Sequence, residues 1–387
     1  MMDTRYITAE DIEIFYTGGT QHPFVLQGDL LELMKSAGTV ATSTTGILNK
    51  IYGALVWAQM NQEANVFGML PKNTWIRSGW RVKSAMATTT DTDISIAETG
   101  SLPTAVYPDI ALVYATPKIQ VETFEVTDVL EAMSSVSSDD IWGAIHQVRA
   151  EIGTEFIKLI NKQLMHKVAE LPTDTTRTKA FQSLDRICSK AGEVGFTTGW
   201  EDVYGLDKDS VAWANAYVDD SSTLRDLTDT LIRNLLMNTR SRGANTNVLL
   251  TGYDTYSAIL GLYMTYVRHM PLSETKAQFG LGGVMTAAGL EAGINIASLY
   301  GIPMIHSVDT PNGGGSGELS YVYALDTSDP EGYGFPRLGL SVLRPVEYFE
   351  TRDYILLNKF AIKGAYRLIG ETTGRFLYGQ GKLRDIK

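Results

Sequence analysis

Residues 97–127 read AETGSLPTAVYPDIALVYATPKIQVETFEVT. Apolar and polar residues alternate along much of this stretch, the period of a strand with one face buried. Pro103, Pro108 and Pro117 punctuate it. Gly100 and Pro103 predict a bend near ETGSLP, followed by a return strand. That strand places Ile119 and Val121 on one face. At Thr123–Phe124 the alternation slips by one residue, so that Phe124 and Val126 continue it. Such a slip predicts a bulge. No helical stripe or cluster of turn residues lies near enough to close a small domain around the stretch. A lone strand pair is marginal in water, so its core must come from elsewhere.

The outgoing leg lies upstream. Over residues 75–97, Trp80 and Val82 alternate with Arg81 and Lys83, and Ile94 and Ile96 flank Ser95. Fully extended at the strand rise, each leg would span about 60 Å, longer than most globular strands. Before it, GDLLELMKSAG and GILNKIYGALVWAQM carry apolar residues at helical spacing, among them Ile47, Leu48, Ile51, Tyr52, Leu55 and Val56. This part reads as an arm bearing short helices.

The clearest helix follows the legs. Ser137 or Ser138 can cap it, and Asp139 and Asp140 complement the dipole in its first turn. Ile141, Ile145, Val148, Ile152, Phe156, Leu159, Ile160, Leu164, Val168 and Leu171 recur at steps of three and four, and Pro172 marks the exit. At 1.5 Å per residue this predicts a rod of roughly 50 Å. Residues 173–222 are rich in loops. A second helical stripe begins at Thr223 with Leu224, Leu227, Leu231 and Leu235. NVLLTG, GIPMIHS and LSYVYALD read as strands, with Asp254 able to cap a helix between the first two. The closing KFAIKGAYRLIG sets Phe360, Ile362, Tyr366 and Leu368 against Lys359, Lys363 and Arg367, a half-buried antiparallel strand.

Composition bounds the function. The 387 residues suffice for a large core, and 44% apolar with 20% charged residues is ordinary for a globular chain. A formal charge of −11 argues against a protein whose main task is gripping nucleic acid phosphates. One cysteine, Cys188, excludes an intrachain disulfide framework. No window of eighteen apolar residues is present, so no membrane span is expected. No basic segment leads into an apolar run near Met1, so no signal peptide is expected.

Catalytic signatures are missing. His22, His146, His166, His269 and His306 are scattered without metal-ligand spacing. Cys188 sits in LDRICSKAG with no nucleophile signature around it and reads as a small buried residue. In FGLGGVMTAAG, Gly280 and Gly282 fit a dinucleotide fingerprint, but Met285 stands at the third glycine. NGGGSGE lacks the lysine of a phosphate-binding loop. No cofactor, metal or catalytic residue is assigned, and the chain is not expected to be an enzyme.

The order of these parts resembles the HK97-like fold of tailed-virus major capsid proteins. The resemblance covers nearly the whole chain and rests on the order and lengths of its parts. NKFAIKGAYRLIGETTGRFLYG, SLDRICSKAG, DVYGLDKDS and NVLLTGYDTYSAI resemble later stretches of that family. It implies an α+β chain with an N-terminal arm over 1–74 and an extended β-hairpin, the E-loop with its base, over 75–127. A P-domain over 128–222 would hold the long spine helix, 138–171. An A-domain would follow over 223–343, with return strands of the P-domain and the C-terminus over 344–387.

The role implied is a shell protein that self-assembles into hexamers and pentamers of an icosahedral virion capsid around double-stranded DNA. Contact with DNA would be weak and non-specific. Portal, scaffolding and cement proteins are the further partners implied, and host cytoplasm is the place of assembly. Some family members form a lysine–asparagine crosslink from the E-loop. The tip here, Glu98 to Asp109, has no lysine, so a shell without crosslinks is expected. On this reading Arg81, Lys83, Glu98, Tyr107, Lys118 and Glu122 are candidates for contacts between subunits, with Trp75 and Trp80 as further aromatic anchors. An encapsulin shell shares the fold and is the nearest alternative; it would need an interior groove for a cargo peptide, and its N-terminal segment is usually a short helix, so the long N-terminal arm favours a virus. An oligomeric α/β enzyme with a long arm is the alternative from another class; it would need a polar cluster around Cys188 or a histidine.

Overall fold

Alternation and helical stripes become elements in a computed structural model. It describes residues 39–40, 64–85, 98, 100, 107–136, 144–167, 179–193, 203–264, 297–330, 332, 334–352, 357 and 359–387. The expected helices of the N-terminal arm, the hairpin tip and the glycine-rich 280–285 run lie outside these residues, apart from Glu98, Gly100 and the residues from Tyr107 onward. No helix of the described residues is long and apolar enough to cross a membrane.

The chain divides into two units, and their seams differ from the five segments read from sequence. The first comprises 1–62, 120–159 and 345–368. Here β1 (Thr39–Val40) pairs in parallel with β5 (Lys118–Thr127), in the sheet order β1–β5–β12–β11. Strands β11 (Leu338–Thr351) and β12 (Ala361–Gly374) both continue beyond this unit. Thr127 Oγ1 accepts the Leu130 N–H, opening α2 (Asp128–Val136). Helix α3 (Ala144–Leu164) lays Val148 and Ile152 on a core of Phe124, Val126, Leu130 and Ile362. Tyr366 packs closely over Gly153, where a Cβ would stand 3.0 Å from its hydroxyl, and donates to the Arg149 carbonyl at 2.9 Å.

Two expectations change in these elements. β5 is one unbroken strand: Gln120, Phe124 and Val126 point inward in phase, while Ile119 and Val121 are exposed. The slip at Thr123–Phe124 is therefore not a bulge; the first apolar pair simply faces outward. Helix α3 ends at Leu164 rather than Leu171. The N–H groups of Met165 and His166 turn back to the carbonyls of Lys162 and Gln163, the tight i−3 bonding that closes a helix.

The second unit comprises 63–119, 160–344 and 369–387. Its six-stranded sheet runs β6–β13–β10–β7–β9–β8. These are β6 (Tyr217–Asp219), β7 (Val248–Thr251), β8 (Ala297–Leu299), β9 (Ile302–His306), β10 (Val322–Leu325) and β13 (Gly381–Leu383). β7 and β10 are buried at every residue, as continuous apolar runs require. Ile232 and Leu235 of α5 (Asp229–Ser241) and Ile259 of α6 (Tyr253–Met264) cover the sheet. Asn161 caps a short helix, α1 (Asn65–Met69), from outside it: its Oδ1 accepts the Val66 and Phe67 N–H groups. β2 (Lys72–Thr74) pairs with residues 340–342 of β11.

At the C-terminus β13 lies between β6 and β10, and the chain beyond it recruits residues 225–227. Arg225 N–H donates to Asp385 O and Leu227 N–H to Lys387 O. These bonds hold Leu224 and Leu227 outside the helix, so α5 starts at Asp229 instead of Thr223. Asp254 likewise serves a distant partner, accepting the Ser320 N–H at 2.8 Å.

β13 also carries a buried ionic network. Lys382 reaches Asp185 at 2.9 Å and also pairs with Glu193; Arg384 reaches Glu193 at 3.2 Å. Tyr323 donates to the same Asp185 oxygen at 2.8 Å. Burial opposes the Lys382 charge, yet Asp185 and Glu193 prevail and raise its pKa. Asp185 lies in α4 (Leu184–Ile187).

Candidate assembly surface

The ribbon of β3 (Gly79–Ala85) and β4 (Asp109–Tyr114) forms a two-stranded sheet of its own. Gly79 faces Tyr114, Arg81 faces Leu112 and Lys83 faces Ile110; Trp80 faces Val113 and Val82 faces Ala111. The ladder shifts between Lys83 and Ala85, where Ser84 Oγ donates to the Asp109 carbonyl at 3.2 Å. At the other end Ala115 N–H donates to Ser78 O at 2.8 Å. Pro117 then separates β4 from β5, so the described residues of 97–127 hold two strands that belong to different sheets.

One face of the ribbon is anchored. Val113 is buried, and Trp80 meets Tyr204, a buried ring. The Arg375 guanidinium lies 5.8 Å from the Trp80 ring. The other face is open: Ile110 is 56% exposed, Leu112 58% and Tyr114 62%, with Tyr107 nearby in sequence at 78%. Three large apolar side chains in one row on a strand form a surface that water solvates poorly. Each strand also keeps one edge unpaired among the described residues, a state that folded chains cover or use.

Arg81 and Lys83 share this open face, both exposed, and neither has an ion-pair partner among the described residues. Glu98 and Tyr107 are exposed near the tip. Lys118 and Glu122 both lie half-buried on β5, and Lys118 Nζ donates to Thr116 Oγ1 at 3.1 Å. Ile110, Leu112 and Tyr114 escaped the sequence reading because DIALVY is apolar on both faces and alternation cannot choose between them.

Charged groups do stand around Cys188: Lys382, Lys208, Asp185 and Glu193 all act on its thiol. The residue is fully buried, however, and burial outweighs the two lysines and pushes the thiol up to about 12, away from the thiolate that a nucleophile needs. No cluster of three His, Cys, Asp or Glu suited to a metal occurs among the described residues.

The architecture has solved counterparts. A chain of the cyanophage A-1(L) capsid superposes with a TM-score of 0.59 at 15% identity, covering 88% of this chain and 98% of that one. The chain has the HK97-like capsid fold. The capsid of an empty GTA particle matches with a TM-score of 0.51 at 10% identity over 89% of this chain and 97% of that one. The capsid of the native GTA particle gives 0.50 at 11% identity, with 85% and 92% covered. At these identities the likeness speaks for fold. No protein-family model matches the sequence, and no curated protein is similar to it. The α+β class and the HK97-like architecture read from the order of parts thus stand.

Proposed function

We propose that this chain is the major shell protein of a tailed-virus capsid. Copies assemble into hexamers and pentamers of an icosahedral shell that encloses double-stranded DNA, without covalent crosslinks. The observation that carries this reading is the β3–β4 ribbon, anchored on one face through Trp80 and open on the other through Ile110, Leu112 and Tyr114, on a fold shared with phage capsid chains. In a closed shell, head-to-tail contacts cover the ribbon of each copy with the body of the next. Burial per copy would then exceed a standard contact of about 1,600 Å².

Arg81, Lys83, Glu98, Tyr107, Lys118 and Glu122 belong to contacts between subunits on this reading, with Ile110, Leu112 and Tyr114 as the apolar core of the ribbon's share. Contact with DNA is weak and non-specific on this reading, which the net charge of −11 supports. Portal, scaffolding and cement proteins would be the further partners. The absence of lysine between Glu98 and Asp109 supports a shell held by packing and ion pairs.

Electron microscopy of the purified chain tests the assembly: closed icosahedral particles are expected. A monodisperse compact monomer at every concentration and salt would defeat the reading. Boiled particles on a denaturing gel should run as single chains; a ladder of multimers would overturn the uncrosslinked part alone.

A further inference from the structure

The open face of the ribbon carries cations as well as its apolar stripe. Arg77, just ahead of β3, and Arg81 line a hollow of about 340 Å³ together with Gly79, Leu112 and Tyr114. The Tyr114 ring lies against Gly79: a Cβ there would stand 2.9 Å from the Val113 carbonyl oxygen and 3.1 Å from the ring, so a side chain would force the ring to move. Both arginines are exposed, and neither guanidinium has a hydrogen-bond or ion-pair partner among the described residues. Asp109, the one carboxylate within β3 and β4, stands at the far end of the ladder opposite Ala85.

We propose that the hollow between Arg77 and Arg81 is a socket for a carboxylate side chain on a second copy of this chain. This rests on the shell reading above. A guanidinium presents a planar fork of donors that matches a carboxylate. Leu112 and Tyr114 wall the hollow, and a second copy seated on them would exclude water, which strengthens such a pair. The second copy supplies the complementary charge: 44 acidic against 33 basic residues leave each chain at −11, while this face of the ribbon is positive. A nucleic acid backbone would satisfy the guanidiniums but leave Ile110, Leu112 and Tyr114 in water; a protein surface covers both. The contact joins two different patches, as a ring of subunits requires.

Carbodiimide crosslinking of R77K and R81K tests the socket. The conservative changes fall on exposed side chains and put a reactive amine where the guanidinium was. Equal parts of ¹⁵N-labelled and unlabelled protein are mixed before assembly, so that crosslinks between copies show mixed isotopes by mass spectrometry. The expected result is a mixed-isotope amide from each new lysine to an aspartate or glutamate, together with loss of particles in the double variant R77E/R81E. Particles that form without such a crosslink overturn the socket and leave the shell reading intact. Crosslinked small oligomers that never close into particles support the socket and overturn the shell. Neither particles nor crosslinks overturns both. Particles of R77E/R81E that form normally but lose their nucleic acid would assign the arginines to phosphate and overturn the proposal.

Discussion

Trp80 meets Tyr204 edge to face, with ring centroids 5.2 Å apart and planes at 74°. Tyr204 is itself pinned. Its hydroxyl donates to the Thr372 carbonyl at 2.7 Å and accepts the Gly374 N–H at 2.8 Å. Burial raises the phenol's pKa, so it stays neutral and keeps both bonds. One indole thus ties the ribbon to the end of β12, while the ribbon's other face stays open.

Separating anchor from core follows from this chain of contacts. Trp80→Ala removes an aromatic pair worth about 0.5–1.5 kcal/mol beyond its buried area. It should speed amide exchange across 79–85 and 109–114 with little change in the melting temperature. Tyr204→Phe withdraws two hydrogen bonds from buried groups, a loss of about 1–3 kcal/mol, and should lower the melting temperature. Ribbon exchange in Trp80→Ala equal to that of the parent chain would show that the ribbon is held by something else.

Lys382 provides a second test, in the interior. It is the shared cation of Asp185 and Glu193, and its side chain is fully buried. Lys382→Ala leaves two carboxylates facing each other in a dry site. Breaking a buried pair on one side costs about 3–5 kcal/mol, so urea unfolding should show a loss of that size. The raised pKa of Lys382 gives a sign as well. Its contribution is complete below the ordinary lysine value of 10.5 and fades as pH rises through the higher folded value. A parent chain whose stability is flat from pH 9 to 11.5 would contradict this.

The buried network also marks where sequence reading stops. Its members, Asp185, Glu193, Lys382 and Arg384, come from distant parts of the chain, Asp185 and Lys382 standing 197 positions apart, and nothing in GKLRDIK signals a central strand. Helix α3 was legible from its local apolar period, and strands β7 and β10 from continuous apolar runs that are buried at every residue. Ile119 and Val121 misled for the opposite reason. A strand with an apolar outward face breaks the assumption that apolar means inward, and the phase of β5 was read one residue off. The same blindness hid the exposure of Leu112 and its neighbours, whereas the outward facing of Arg81 and Lys83, charged and alternating, was legible.

Glu371 gives a pH dependence of known direction. It is fully buried and has no ion-pair partner among the described residues within salt-bridge reach; its carboxyl accepts the N–H groups of Gln182 at 2.7 Å and Thr372 at 3.0 Å. Burial pushes its pKa up to about 8, against the opposing pull of those N–H groups and of Lys118 and Arg186. Between the unfolded value of 4.5 and about 8, the folded chain holds a proton that the unfolded chain has lost. Stability must therefore fall as pH rises through this window. Glu371→Gln keeps a carbonyl for the two N–H groups and cannot ionise. Urea midpoints of variant and parent should agree near pH 5, with the variant ahead at pH 8.5. A constant offset at both pH values would show that ionisation of Glu371 plays no part.

The open row on β4 carries the last prediction. Leu112 is 58% exposed and faces Arg81 across the ribbon, so Leu112→Asp removes little buried area from the isolated chain. Its melting temperature as an unassembled subunit should stay within about 0.5 kcal/mol equivalent of the parent, the ordinary range for a surface change. Assembly should respond differently. On the proposed shell reading, Leu112 passes from water into an apolar contact, where full burial of such a side chain is worth about 1.5–3 kcal/mol. An aspartate there also costs desolvation of its charge. The deficit recurs in every subunit of a closed particle, so particles should vanish while small oligomers or monomers remain. Size-exclusion chromatography with light scattering reads this directly. Leu112→Met, which keeps the apolar surface, should still assemble. Closed particles of Leu112→Asp at parental yield would remove the ribbon's open face from the assembly contact.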